Sequence, residues 1–225
     1  MENKKKSLWQ FFQMLGKTFM FPIALLSVCG MLLGIGSAFT NSSLIEAVPL
    51  LGNPVLQKIF SFMTTLGLFA FNNLGVLFAM AIPLGLLKEE KEFGAFTGLV
   101  SFMAMHIGTN FYLTITDQLA AADKMTEAGQ GMILGIQTYN TSVLGGIIAG
   151  LMVFWLYPKI SKVKIPEALG FYSGPRLAPI AMLVIMGIFG MVAVPLFWQP
   201  FYNFFKMIGE WISTSGPIGY FSYAV

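Results

Sequence analysis

Apolar tracts long enough to cross a bilayer recur along these 225 residues, and that recurrence confines the chain to one class of fold. A helix needs ~20 apolar residues to traverse a hydrocarbon core ~30 Å thick. Inside that core every backbone N–H and C=O must find its partner within the segment or in a closed barrel. Only 10% of the residues are charged and 56% are hydrophobic, against roughly 25% charged in an ordinary soluble domain. The alternating pattern of a membrane β-barrel is missing. The expected fold is all-α, a polytopic membrane protein of about five transmembrane helices with amphipathic interfacial helices beside them.

Residues 1–17 read as a cytoplasmic tail and a short interfacial helix. Leu8, Phe11, Phe12 and Leu15 form one apolar stripe, and Trp9 and Lys17 lie close by. Extension of the first span through the same residues fits equally well. Residues 18–200 read as the transmembrane bundle. Its spans are expected over 18–39, 74–87, 93–113, 142–157 and 178–200, and Gly146 and Gly150 have the spacing that lets helices approach closely. Gly30 and Gly34 share that spacing in the first span. Residues 54–87 are too long for one upright helix and short for two, and Asn72-Asn73 interrupts them. A lateral or partial helix over 55–71 followed by a span is expected there. Residues 114–141 form a long polar excursion. Residues 201–225 are expected to be an amphipathic arm, ending in an apolar stretch with no polar tail, the pattern of a truncated chain.

The basic stretch Tyr157–Pro179 orients these segments. Lys and Arg close to span ends are retained on the cytoplasmic side. With the N-terminus cytoplasmic and a single crossing in 54–87, ten basic residues lie inside: Lys4, Lys5, Lys6, Lys17, Lys88, Lys91, Lys159, Lys162, Lys164 and Arg176. Three lie outside, namely Lys58, Lys124 and Lys206. The choice of one crossing uses part of this asymmetry.

Few residues invite chemistry. The chain has no phosphate-binding glycine loop, no metal-ligand cluster, no paired carboxylates and no nucleophile–His–acid arrangement, so no catalytic or metal residue and no cofactor is expected. The net charge of +3 bears on topology and not on nucleic acid. His106 is an ionisable group inside a span, a functional candidate by default, although a hydrogen bond to Ser, Thr or backbone across a helix interface is the favoured explanation. Asn72 and Asn73 could bind a polar ligand or mark a helix break. In Tyr157–Pro179, Pro166 and Glu167 suit a helix start. Gly170 and Gly174 permit tight turns, Phe171 offers aromatic area, and Arg176 supplies a fork of donors before Pro179.

KIPEALGFYSGPRLAPI resembles the IKLPEYLGFFxGKRFVPI segment of the membrane-embedded IIC component of the phosphoenolpyruvate-dependent sugar phosphotransferase system, glucose superfamily. LGKTFMFPIALLSVCGMLLGIGSAF, GVLFAMAIPLGLLKEEKEFGAFTGLV and TSVLGGIIAG extend the likeness along the whole chain in order. The leading LWQFFQMLGKTFM is most similar to the maltose/glucose branch. One departure is that the usual basic pair of the loop is Pro175-Arg176 here. The other is that family members continue through an LIPxGLHH segment and a TEP motif, which help to build the sugar site. The family's substrate-binding residues therefore lie beyond Val225, and His106 does not match that histidine.

The resemblance implies a scaffold and dimerisation half of a permease, functioning as a homodimer in the bacterial inner (plasma) membrane. It would import maltose/glucose-type sugars coupled to phosphorylation by partner IIB and IIA components. Phosphoryl transfer would need the phosphocysteine of IIB. Cys29 lies within a span and cannot be that cysteine. A non-transporting membrane scaffold and an unrelated secondary transporter using His106 and the asparagine pair are the alternatives.

Overall fold

A computed structural model describes residues 2–214, with side chains from residue 9 onward except at 168. The terminal stretch SGPIGYFSYAV, read above as the end of an arm, lies outside the described residues. Seven α-helices and one β-hairpin make up the described chain: α1 (Glu2–Phe39), α2 (Ser42–Ala47), α3 (Pro54–Asn72), α4 (Leu74–Leu86), α5 (Lys91–Ile115), β1 (Gln130–Ile133), β2 (Ile136–Tyr139), α6 (Ser142–Ile160) and α7 (Leu177–Thr214).

Four of these stretches are long and apolar enough to cross a membrane: Trp9–Phe39, Pro54–Asn72, Ser142–Ile160 and Gly174–Thr214. Residues 7–17 continue directly into α1, so the second of the two readings of that segment describes the backbone. The same holds at the other end. Residues 201–214 continue α7 without a break, through Pro195 and Pro200. α4 differs from the expectation of a span over 74–87. Its 13 residues rise only about 20 Å, short of the hydrocarbon thickness. Asn73 limits it at one end, and the charged turn at Lys88 limits it at the other. Gly75, Val76, Phe78, Ala79, Ala81, Ile82, Pro83 and Leu86 are all buried, as befits a helix apolar all round. It is a core helix. α5 has the length to span, about 37 Å for its 25 residues. It carries Thr97, Ser101, His106, Thr109 and Asn110, and it is not among the four helices that are both long and apolar enough to cross a membrane.

The break between α3 and α4 falls at the asparagines. The Asn73 side chain donates to the Phe69 carbonyl at 2.8 Å, and Asn53 accepts from the Val55 amide at 2.8 Å to cap the start of α3. Both side chains satisfy backbone groups that a helix terminus leaves open.

The chain divides into two compact units. The first holds the residues up to Phe102 together with Ser142–Ala181. Here α1 packs on α3 and α4, and α4 packs on α6. Phe39 meets Phe60 with centroids 4.9 Å apart, and Phe19 meets Phe78 at 5.1 Å. Gly146 lies directly against the Gly75 carbonyl, Gly98 against the Ala79 carbonyl, and Gly85 against Thr18. Any side chain at these glycines would strike its neighbour, which is the physical reason for small residues at close helix crossings.

The second unit holds Met103–Thr141 and the chain from Met182 onward. Met105, Leu113, Met182 and Met186 form its buried apolar centre. Gly108 abuts the Gly187 carbonyl, and Gly190 abuts that of Met105. The hairpin lies in the expected polar excursion, paired in register from Gln130↔Tyr139 to Ile133↔Ile136. Its two-residue turn places Leu134 at φ 50° and Gly135 at φ 82°. That doubly left-handed geometry matches the twist of two paired strands.

Candidate functional site

Three groups of residues stand out from the apolar framework. The loop between α6 and α7 contains a short 3₁₀ turn, Glu167–Tyr172, and a second at Gly174–Arg176. Pro166 precedes the first turn and Glu167 opens it. Gly174 sits at φ 68°, a backbone state that glycine adopts freely. Gly170 faces open space. The Arg176 guanidinium lies 4.8 Å from the Phe171 ring centroid and donates to the Phe171 carbonyl at 3.2 Å. Ser173 Oγ donates to the Gly170 carbonyl at 2.7 Å. This clasp closes the loop on itself. Phe171 stays 70% exposed, so its aromatic area is displayed. Pro179, half-buried, lies in the first turn of α7.

The second group ties α5 to the hairpin. His106 is buried, with Nδ1 3.3 Å from Thr138 Oγ1. One helical turn on, Asn110 donates to the Gln137 carbonyl at 2.7 Å. Thr109 donates to the Met105 and Gly190 carbonyls at 3.0 and 2.9 Å. Around the strands, Gln130 donates to the Gln118 carbonyl and accepts from the Ala120 amide. Gln137 donates to the Ala120 carbonyl and to Gln130 Oε1. Amides, hydroxyls and the His106 imidazole make up this network. Such an arrangement fixes a buried loop and offers no nucleophile. Among the described residues, no group of three His, Cys, Asp or Glu side chains gathers to hold a metal. Asn72 and Asn73 lie in the first unit at the α3–α4 break.

The third group was not visible in the sequence. A cavity of about 560 Å³ opens in the first unit between the start of α1, the α4–α5 turn and the end of α6. Its polar lining includes Gln10, Lys88, Glu89, Glu90, Ser161 and Lys162. Tyr157 is buried beside it and donates its hydroxyl to Glu90 Oε2 at 2.9 Å. Glu90 itself is held at φ 52°, an uncommon state for a residue with a Cβ. These residues come from three separate segments of the chain, and Glu90 and Tyr157 are 67 positions apart, so no single local motif marks them.

Comparison with known proteins adds what the geometry lacks. A family model described as "Phosphotransferase system, EIIC" matches residues 16–225. Over 217 residues the chain is 43% identical to the PTS system maltose-specific EIICB component of Escherichia coli (strain K12). The aligned region takes in 96% of this chain and 41% of that protein. The chain therefore spans about two fifths of the length of the relative it matches.

Proposed function

The chain belongs to the EIIC family of the phosphotransferase system, and on that basis we propose that it is the N-terminal part of a permease importing maltose or a glucose-type sugar. The observation that carries this reading is the 43% identity, across 96% of the chain, to a maltose-specific component. In this scheme the sugar crosses the bilayer and receives its phosphoryl group from a phosphocysteine on a IIB partner, itself charged by IIA. The chain's own contribution is scaffold and dimer contact.

The ten-to-three distribution of basic residues supports an N-terminus on the cytoplasmic side of the bacterial plasma membrane. The loop Pro166–Pro179 then faces the cytoplasm. Its closed Arg176–Phe171 clasp and exposed Leu169, Phe171 and Tyr172 form a stiff apolar knuckle against which a soluble partner could seat.

The decisive experiment is complementation. Cells deleted for their own maltose and glucose phosphotransferase permeases would receive this chain in its full genomic context. Phosphoenolpyruvate-dependent accumulation of maltose phosphate is the expected result. Accumulation of unphosphorylated sugar driven by a proton or sodium gradient would refute the scheme in favour of a secondary transporter. No accumulation of any sugar would refute it in favour of a scaffold.

A further inference from the structure

We propose that the cavity between α1, α4 and α6 is a binding site for the headgroup of a phospholipid carrying both a phosphodiester and a primary ammonium, that is, an ethanolamine phospholipid. Its position is the first argument. The cavity takes Gln10 from the beginning of one candidate span, Trp9–Phe39, and Pro158 and Lys162 from the end of another, Ser142–Ile160, and just past it. Trp9 and Trp155, the sequence neighbours of the lining residues Gln10 and Phe154, are 67% and 60% exposed. Exposed indoles at the ends of apolar helices mark the membrane–water boundary, where headgroups are the most abundant solute.

The lining is the second argument. Phe11, Met14, Leu86, Leu87 and Phe154 are its apolar lining. Two cations, Lys88 and Lys162, and two carboxylates, Glu89 and Glu90, also line it. These four charges form no ion pair with one another among the described residues, and only Glu90 is committed, by one oxygen, to Tyr157. A cavity that combines unpaired charges of both signs with apolar side chains complements a zwitterion with a hydrocarbon tail. A phosphodiester fits the lysines. A primary ammonium can donate three hydrogen bonds to the carboxylates, which a choline cannot. The aromatic residues reinforce that choice. Phe11 and Phe154 stack on each other, with centroids 5.9 Å apart and planes tilted by 32°, instead of splaying into a cage for a quaternary cation.

Native mass spectrometry of the full chain in detergent, titrated with phosphatidylethanolamine, phosphatidylcholine and phosphatidylglycerol of identical acyl chains, tests the site. The ethanolamine lipid should bind about fivefold or more tightly than either of the others. Glu89→Gln and Lys162→Ala should each remove that preference, whereas Lys206→Ala, on α7, should not. Both lining substitutions are at exposed positions, and circular dichroism identifies any variant that loses helix; either one that retains it reads the site. Equal binding of the three lipids, or preference for the glycerol lipid, would overturn the proposal. Displacement of the lipid by an equal concentration of soluble glycerophosphoethanolamine would do so too, because the apolar lining would then contribute nothing.

Discussion

The Tyr157 hydroxyl is the clearest single contact holding an α4–α5 turn in an uncommon conformation. It anchors Glu90, whose φ of 52° costs roughly 1–3 kcal/mol unless surrounding contacts hold it. Tyr157→Phe should lower stability by about 1–2 kcal/mol, the worth of a hydrogen bond to a charged group near a surface. A thermal-unfolding series with Tyr157→Phe, Glu90→Ala and the double variant checks the coupling; strict additivity would mean the bond contributes nothing. Gln137 offers a second residue-scale test. Leucine there would strand the Ala120 carbonyl and remove one of the two donors to Gln130 Oε1, at about 1–3 kcal/mol, and should speed hydrogen exchange in β1 and β2. Sequence reasoning could nominate His106, because an ionisable residue in an apolar tract stands out. Gln130 and Gln137 could not be found that way. A glutamine in a polar stretch looks the same whether it faces water or buried backbone groups.

At the scale of elements, apolar length made the helices legible and small-residue spacing only partly indicated their packing. Gly146 and Gly150 both face α4, against Gly75 and Ile82. Gly30 and Gly34 share the spacing, yet neither makes a close contact, and the glycine of α1 that meets α3 is Gly36. Spacing reports that a groove exists and not that a neighbour fills it. The contrast predicts opposite outcomes for one chemical change. Gly146→Ala should destabilise by roughly 1–3 kcal/mol through overpacking. Gly34→Ala should stabilise by about 0.5–1 kcal/mol, since a free helical glycine costs conformational entropy that alanine does not. Detergent-resistance midpoints of the two purified variants decide this. The hairpin escaped notice for a different reason. Its turn is Leu-Gly, and the left-handed pair of positions is signalled by Asn-Gly or Asp-Gly.

For the whole molecule, the sequence revealed the membrane class and the family, because both are written in long contiguous patterns. The cavity was illegible because α1, α4 and α6 assemble it from distant positions. Orientation across the bilayer is the property that the charge distribution addresses most directly. If Tyr157–Pro179 is cytoplasmic, Ser161→Cys should resist an impermeant thiol reagent in intact cells and react in inverted vesicles. Cys29, the lone native cysteine, is buried, so the label would report position 161 alone. Reaction in intact cells would reverse the orientation proposed for every segment. The Leu134-Gly135 tip provides a second reporter. Leu134 is 43% exposed and nothing lies within 4 Å of a side chain built at Gly135, and such tips tolerate insertion. The hairpin is therefore a natural splice point: if the proposed orientation holds, an epitope threaded through its tip should be bound by antibody added to intact cells, and binding only after permeabilisation would contradict that orientation.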